Sequence, residues 1–336
     1  MAQVQEVNIL SLMFNFIGSS ELAGKDVNNK IPEVFAGQGL RHLKDHLSNF
    51  CYDLVIERFP AISPMVSSVK PLYSFRIMQL TASLVLYKND PEIVIQAIKS
   101  LFGTPIEINL SVVDNSPTDE LKTIFDNFQE YDIDYYFNNG NNVGFGQAHN
   151  LAITRAKNYD YHLVINPDVY FDNNVITELI HYLDKHQDVG LITPKISYPN
   201  GEIQYLCKRQ PTVLTLFIRR FIPKKMQFLF KKRLDWYEMR DISYNQIIEV
   251  PIISGCFMLF NRKYLDDIGY FDKNMFMYFE DYDLTLRMSK KYKTILYPHV
   301  NIYHHWARGA HNSTKLAIVF AQSAVYFFNK HGWKLY

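Results

Sequence analysis

Between Leu80 and Thr193 short apolar runs alternate with amphipathic stretches, and this alternation constrains the fold more than any other feature. The apolar runs predict buried strands at 81–87, 108–113, 133–137, 162–165 and 189–193. The intervening stretches predict helices at about 91–101, 117–128, 147–156 and 173–186, the first with an N-cap and a helix-initiating proline at Asp90-Pro91. Such alternation predicts an α/β domain with a mostly parallel sheet and helices on both faces.

Ligands of such sheets bind at the carboxyl ends of the strands, where Asp114 and Asp168 are predicted to lie. Each aspartate has a structural alternative, because Asp114 can form an Asx turn with its own neighbours and Asp168 can cap the following helix. The Asn/Gly-rich loop 138–146 enters a helix, so its N–H groups could face a diphosphate, although it is neither a P-loop nor a GxGxxG motif. Together these features favour a nucleotide-type cleft.

The segment 275–284 places Glu280, Asp281 and Asp283 among large apolar residues. Removing an ionised carboxylate from water costs several kcal/mol unless a partner, a metal or a reaction uses it. Asp283 lies four residues before Arg287, the spacing of a helical ion pair, so a structural role explains it. Glu280 and Asp281 would point about 100° apart on a helix, so one can face a cleft while the other braces it.

Composition excludes several classes of function. The formal net charge of +1 provides no global basic signature for nucleic-acid binding. The 23 Tyr and 24 Phe suit stacking on bases or sugars, and equally an aromatic core. Cys51, Cys207 and Cys256 are far apart and form no CxxC pair, which argues against a disulfide framework or zinc site. Because no run reaches the ~18 apolar residues of a membrane span, we expect a cytoplasmic protein.

The remaining parts of the chain are less regular. Residues 1–78 show no clean period and form an N-terminal extension whose role the sequence does not indicate. Residues 214–233 combine cations with large apolar residues and contain no acid, which fits either an anionic bilayer surface or a solvated basic helix pair. Strands are predicted at 250–260 and 294–297, and a last helix at 313–330.

His304-His305-Trp306 follows the last predicted strand. A histidine together with Asp168 would form a mixed nitrogen and oxygen site that suits Mn²⁺ or Mg²⁺ better than zinc.

Taken in order, these pieces resemble the family 2 inverting glycosyltransferases, most of all the bacterial rhamnosyltransferases of O-antigen and capsule polysaccharide assembly. The resemblance covers roughly residues 80–333. Its motifs are Val-Val-Asp-Asn-Ser, Asn-Val-Gly-Phe-Gly with Asn150, Asn-Pro-Asp, Ser-Gly-Cys-Phe-Met-Leu and Phe-Glu-Asp-Tyr-Asp-Leu.

The resemblance implies a GT-A fold, a Rossmann-like α/β architecture, followed by a C-terminal helical region. Residues 79–336 would form this domain, with the nucleotide-sugar half at 79–195 and the acceptor half at 196–336. Asp281 would be the general base, and a Mg²⁺ or Mn²⁺ ion would bind Asp168 and His305, with His304 as the other candidate. Asn166 replaces the usual first acid of the family's metal-binding motif.

The resemblance also implies the residues that contact the substrates. The donor side would comprise Tyr87, Asp114, Asn142, Gly144, Phe145 and Gly146, and the acceptor side Glu280 and Trp306. The implied donor is dTDP-L-rhamnose, with UDP-galactofuranose or a UDP-N-acetylhexosamine as alternatives. The acceptor would be a saccharide, carried in one version on a polyprenyl diphosphate at the inner membrane face, with peripheral membrane contact.

Two other classes share the predicted sheet, namely nucleotidyltransferases and non-catalytic nucleotide-binding modules. A nucleotidyltransferase would need a Gly-rich basic loop after the first strand, where this chain has Lys88-Asn-Asp-Pro91. A pure binding module has no use for both Asp281 and a histidine near a metal. The sequence leaves the oligomeric state open.

Overall fold

The computed structural model describes residues 80–156, 159–306 and 314–336, all within one compact unit, Ile77–Tyr336. The prediction of an N-terminal extension at 1–78, and Cys51 within it, lie outside the described residues. The strands are β1 (Leu80–Leu86), β2 (Ile108–Asp114), β3 (Ile133–Phe137), β4 (Tyr161–Ile165), β5 (Val169–Phe171), β6 (Val189–Ser197), β7 (Ile248–Glu249), β8 (Phe257–Asn261) and β9 (Lys293–His304). The α-helices are α1 (Pro91–Phe102), α2 (Phe145–Arg155), α3 (Val175–Lys185), α4 (Val213–Phe221), α5 (Lys231–Tyr237), α6 (Arg262–Ile268), α7 (Glu280–Ser289) and α8 (Thr314–His331).

The described strands form one sheet in the order β3-β2-β1-β4-β8-β6-β9-β5, with β7 beside β9. Strands β1, β2, β3, β4, β6 and β9 run in one direction, while β5, β7 and β8 run in the opposite direction. The predicted mostly parallel α/β architecture is therefore confirmed. Strand β8 lies between β4 and β6 and runs antiparallel to both. The chain segment that enters β8 therefore lies at the edge where the parallel strands end.

Local sequence explains why these elements form. Strand β1 is almost entirely buried because helices cover both faces of the sheet, and its two polar residues, Thr81 and Ser83, hydrogen-bond to buried histidines. In α1, Asp90 accepts a hydrogen bond from the N–H of Glu92, and Pro91 occupies the first turn as predicted. The buried residues of α1 recur at helical spacing, and they are Val94, Ala97, Ile98 and Leu101.

Several elements differ from the predictions, among them the last strand, which was predicted at 294–297 and extends over Lys293–His304. The expected strand at 250–260 is wrong, because the strands here are Ile248–Glu249 and Phe257–Asn261, and between them only an isolated bridge joins Ile252 to Lys208. The predicted helix ending near residue 128 is a 3₁₀ helix, Glu120–Phe128. Strand β6 continues past Pro194, which lies at a register shift where a missing N–H is tolerated.

The C-terminal helices pack into an apolar cluster of their own. Leu216 of α4 joins Phe279, Phe327 and Phe328 in this cluster. Between α4 and α5 lies a short 3₁₀ helix, Lys224–Phe230, with no buried residue. None of the described helices has the length and hydropathy needed to cross a bilayer.

Candidate active site

The polar residues singled out in the sequence converge on one edge of the sheet. Asp114 is the last residue of β2, Asp168 follows β4 after a short turn, and His304 is the last residue of β9. Because these three strands run in the same direction, their carboxyl ends meet at this edge, where ligands of such sheets bind.

Asp281 reaches this edge through Gly255. The N–H of Gly255 donates to Asp281 Oδ2 at 3.0 Å, and the N–H of Tyr282 donates to Oδ1 at 2.9 Å. One residue further on, the carbonyl of Cys256 accepts from the N–H of Asn166 at 2.9 Å. The β4–β8 pairing thus ties the turn that carries Asp168 to the residue that holds Asp281.

Glu280 and Asp281 occupy different environments. Glu280 is buried, and its Oε2 has no hydrogen-bond partner among the described residues. Burial and the adjacent charge of Asp281 raise the pKa of Glu280 well above its usual range. Burial also raises the pKa of Asp281 to about 6, although the two backbone N–H groups act in the opposite direction. At neutral pH the pair therefore favours a neutral Glu280 beside an ionised Asp281, and a carboxylate with a pKa near 6 is suited to accept a proton.

The backbone before this pair is strained. Tyr278 and Phe279 have φ angles of 71° and 67°, in the left-handed region that non-glycine residues rarely adopt. Such strain costs about 1–3 kcal/mol per residue and persists only where the surroundings impose it. Here Phe279 is held in the apolar cluster, and Thr285 anchors the first turn of α7 by donating to the Asp281 carbonyl at 2.7 Å.

Asp283 has the structural role that its spacing predicts. Its buried carboxylate accepts from Arg287 Nε at 2.9 Å, and Lys330 and His331 of α8 lie 2.7 Å from its other oxygen. The ion pair predicted from the sequence is confirmed, and the same carboxylate attaches α8 to α7.

The Asp168 carboxylate lies beside the ring of His304, whereas His305 contacts Asp168 through its backbone N–H. His304 Nε2 is 3.3 Å from Asp168 Oδ1, while the His305 ring turns to Gln96 Oε1 at 2.9 Å. Burial alone would raise the pKa of Asp168, but the hydrogen bond and charge of the His304 ring outweigh it and lower that pKa. Gln204 also holds this ring in place, since its Oε1 lies 2.9 Å from His304 Nδ1.

An ionised carboxylate next to an imidazole is a suitable partial ligand set for Mg²⁺ or Mn²⁺, which leave their other positions to phosphates and water. No group of three His, Cys, Asp or Glu side chains suited to a metal occurs in the described part of the chain. A cation here would therefore rely on a bound diphosphate for its remaining ligands.

On the predicted donor side, Asp114 is fully buried and its two oxygens are already engaged. Oδ1 accepts from the N–H of Ser116 at 2.8 Å, the Asx turn that was the structural alternative, and Oδ2 accepts from the Tyr135 hydroxyl at 2.7 Å. These two hydrogen bonds fix the orientation of the carboxylate at the end of β2. Tyr87 is 48% exposed at the end of β1, and the next residue, Lys88, is tied to Ser116 by a 2.9 Å hydrogen bond.

The loop 142–146 packs against the segment that precedes α7. Gly144 has φ 86° and ψ 174°, a conformation essentially restricted to glycine, and a Cβ there would lie 2.0 Å from the Phe276 carbonyl oxygen. The N–H of Phe145 donates to that same oxygen at 3.1 Å. Asn142 accepts from the N–H of Gly144, and Gly146 is close enough to Glu280 that its added Cβ would meet the glutamate at 3.5 Å.

The half-buried Trp306 has a φ of 39° and stacks on Tyr198 with ring centroids 6.1 Å apart. This contact places Trp306 beside the carboxyl end of β6.

Sequence reasoning missed a polar network behind Asp281, of which Tyr237 and Lys208 are the buried members. The hydroxyls of Tyr282 and Tyr237 lie 2.7 Å apart, and Arg219 lies over the Tyr237 ring at 5.3 Å. Glu238 is 3.4 Å from Arg219 Nη2 and 3.8 Å from Lys208 Nζ. Apart from the neighbours Tyr237 and Glu238, the members are separated in sequence and follow no shared motif, so the fold brings them together.

Lys208 is the most unusual member of this network. It is 6% exposed, and burial together with the charge of Arg219 lowers its pKa to about 7.

Comparisons with known proteins agree with this architecture. The sequence model of glycosyl transferase family 2 matches residues 84–269. The N-acetylglucosaminyl-diphospho-decaprenol L-rhamnosyltransferase of Mycobacterium tuberculosis is 25% identical over 210 residues, which are 58% of this chain and 67% of that protein.

Solved structures share the fold at low sequence identity. Mannosyltransferase PcManGT from Pyrobaculum calidifontis, in complex with GDP-Man and Mn²⁺, superposes with a TM-score of 0.52 at 15% identity, covering 75% of this chain and 63% of that one. GalNAc-T7 with UDP, GalNAc and Mn²⁺ has a TM-score of 0.53 at 13% identity, covering 76% and 51%. S. aureus TarS has a TM-score of 0.50 at 16% identity, covering 75% and 40%. The chain spans less than two thirds of the length of each of these structures.

Proposed function

The chain belongs to glycosyl transferase family 2, and from this we propose that it transfers L-rhamnose from dTDP-L-rhamnose to a saccharide hydroxyl, with inversion at the anomeric carbon. The acceptor we propose is carried on a polyprenyl diphosphate. The name of the mycobacterial relative supports both choices, since that protein is a rhamnosyltransferase of a decaprenyl-diphosphate-linked sugar.

One observation carries the proposal. Asp281 has a pKa of about 6 and is aimed by two backbone N–H groups at the sheet edge that also holds Asp168. A base with this pKa is ionised at neutral pH and still basic enough to take a proton from a hydroxyl as that hydroxyl attacks.

The proposed reaction is a single displacement. Asp281 accepts the proton of the acceptor hydroxyl while its oxygen forms a bond to the anomeric carbon from the face opposite the donor diphosphate. The bond between that carbon and the diphosphate oxygen breaks, and the nucleoside diphosphate leaves with the electron pair. Attack from the opposite face gives the inverted configuration.

Other residues would position the substrates. Tyr87, Asp114 and the loop 142–146 would surround the nucleotide, while Glu280 would brace Asp281 and Trp306 would line the acceptor side. Asp168, with His304 or His305, would hold a divalent cation, and a bound cation neutralises charge on a leaving diphosphate. From the geometry described above we favour His304, because its ring is the one beside Asp168.

A thermal-shift screen of nucleotide-sugars, with and without Mn²⁺, tests the donor. We expect dTDP-L-rhamnose to raise the melting temperature more than UDP-galactofuranose or UDP-N-acetylglucosamine, and Mn²⁺ to increase the shift. NMR of the product then reports the anomeric configuration. A larger shift with a UDP-sugar would contradict the rhamnose assignment, and a product that retains the donor configuration would contradict the single displacement.

A further inference from the structure

Helix α4 carries an apolar stripe on its exposed side. Its inner face, centred on Thr215 and flanked by Leu216 and Ile218, is buried, whereas Leu214, Phe217 and Phe221 on its outer face are 37%, 51% and 63% exposed. These three residues are spaced by three and four positions, so they form one stripe along the helix. The apolar stripe of a surface helix is normally directed at the core. An apolar stripe on the exposed side therefore indicates a surface that another molecule covers.

The exposed stripe is part of a larger surface. In the adjoining 3₁₀ helix Met226, Phe228 and Leu229 are 51%, 70% and 63% exposed. The C-terminal segment joins the start of α4, since the N–H groups of Val213 and Leu214 donate to the carbonyls of Lys334 and Leu335 at 2.8 and 3.1 Å. We call this surface the basic-aromatic face, and its apolar members are Leu214, Phe217, Phe221, Met226, Phe228, Leu229 and Leu335.

Cations surround these apolar side chains. Residues 213–234 contain seven Lys or Arg and no acid. Lys224, Lys225 and Lys232 are exposed and form no hydrogen bond or ion pair with any residue that the structure describes. Aromatic side chains interspersed with unpaired lysines are typical of segments that lie at the headgroup boundary of an anionic bilayer.

We propose that the basic-aromatic face docks the protein on an anionic lipid surface. A second copy of the chain fits less well, because a two-fold contact would bring the same cations together. Residues 1–79 carry seven acids and seven bases, so that part of the chain offers no excess of negative charge to this face.

Docking here would bring the bilayer close to the catalytic segment. The inner face of α4 packs Leu216 with Phe279, two residues before Asp281, and the Tyr237–Tyr282 hydrogen bond connects α5 to α7. The lipid surface would thus lie about one helix diameter, roughly 10 Å, from the segment that carries Asp281. This part of the inference rests on the proposed function, since a polyprenyl-linked acceptor presents its sugar near the membrane surface.

Flotation of the full chain with vesicles tests the docking without any transfer reaction. We expect binding to phosphatidylglycerol vesicles and little binding to phosphatidylcholine vesicles. Lys224→Gln, Lys225→Gln and Lys232→Gln combined should weaken binding about a hundredfold, from about fivefold per lysine. The matched control combines Lys122→Gln, Lys185→Gln and Lys290→Gln, three exposed lysines outside the face, and should leave binding unchanged.

The apolar contribution is tested with Phe217→Ser and Phe228→Ser combined, which should reduce binding at least tenfold even in low salt. Leu151→Ser with Ile247→Ser, two residues that are each 38% exposed on other surfaces, is the control and should bind normally. Failure of the unmodified chain to float with anionic vesicles would overturn the proposal. So would self-association that Phe217→Ser and Phe228→Ser abolish while vesicle binding persists. Vesicle binding by a protein that transfers no sugar would leave the docking intact and reject only the proposed function.

Discussion

At the scale of single residues, two neighbouring carboxylates differ in their pKa because their hydrogen-bond partners differ. Glu280 and Asp281 are neighbours in the first turn of α7, yet only Asp281 receives backbone N–H groups on both oxygens. Glu280 is left with an unpartnered oxygen in an apolar environment. A buried acid with an unpartnered oxygen is harder to ionise than an acid that is hydrogen-bonded on both oxygens, so the pair can hold one negative charge at a defined position.

Glu280→Gln should stabilise the fold at neutral pH. The pKa of Glu280 is raised in the folded state, so between the unfolded value of 4.5 and the folded value the native state binds more protons than the unfolded state. Its contribution to the unfolding free energy therefore falls as pH rises above about 4.5. We expect the melting temperature of Glu280→Gln to match that of the wild type near pH 4 and to exceed it by about 2–4 °C at pH 8.

Thermal denaturation across this pH range checks the prediction. Glu130→Gln, at an exposed position, is the control and should show no pH-dependent difference. A melting-temperature difference for Glu280→Gln that does not change with pH would show that Glu280 titrates normally.

At the scale of elements, the loop 142–146 and the segment before α7 support each other. The loop 142–146 and the segment before α7 meet at the Phe276 carbonyl, which accepts from Phe145 and leaves no room for a side chain at Gly144. The site is therefore assembled by contact between two irregular segments, and each is held in a conformation with positive φ angles.

Gly144→Ala should destabilise the protein by about 3 kcal/mol or more, since it adds a clash with backbone to the strain of its conformation. Gly201→Ala is the matched control, because Gly201 also has a positive φ, of 85°, but a Cβ there would meet nothing within 4 Å. The control should lose only about 1–2 kcal/mol, the cost of a Cβ in the left-handed region. Urea denaturation measures both, and equal losses for the two variants would contradict the close packing at Gly144.

Sequence patterns predicted these elements unevenly, for physical reasons. Strand β1 and helix α1 follow from local apolar periodicity and capping, which operate over a few residues. The run 250–260 is apolar enough to predict a strand, but residues 250–256 use their backbone to carry Gly255 to Asp281, 26 residues away in sequence. Nothing local in the sequence marks that contact.

At the scale of the whole molecule, the strand order creates the site. The antiparallel strand β8 lies between β4 and β6, so the residues that enter β8 share an edge with the residues that leave β4. The sequence predicted that Asp114 and Asp168 lie at this edge, because both follow strands of one direction. It could not predict the Tyr135 hydroxyl on Asp114 or the choice of His304 over His305 beside Asp168, because these depend on side-chain orientation and strand register.

The pH dependence of kcat/KM for sugar transfer, measured for the wild type and for Asp281→Asn, tests the assignment of Asp281 as the base most directly. We expect the wild-type value to rise with pH to a plateau, with a midpoint near pH 6, because ionised Asp281 is the active form. Asp281→Asn should retain donor binding in the thermal-shift assay but transfer sugar roughly 10³ times more slowly, without this midpoint. The exposed Asp267→Asn should behave as the wild type. Transfer by Asp281→Asn at a rate near that of the wild type, with the same midpoint, would contradict the account.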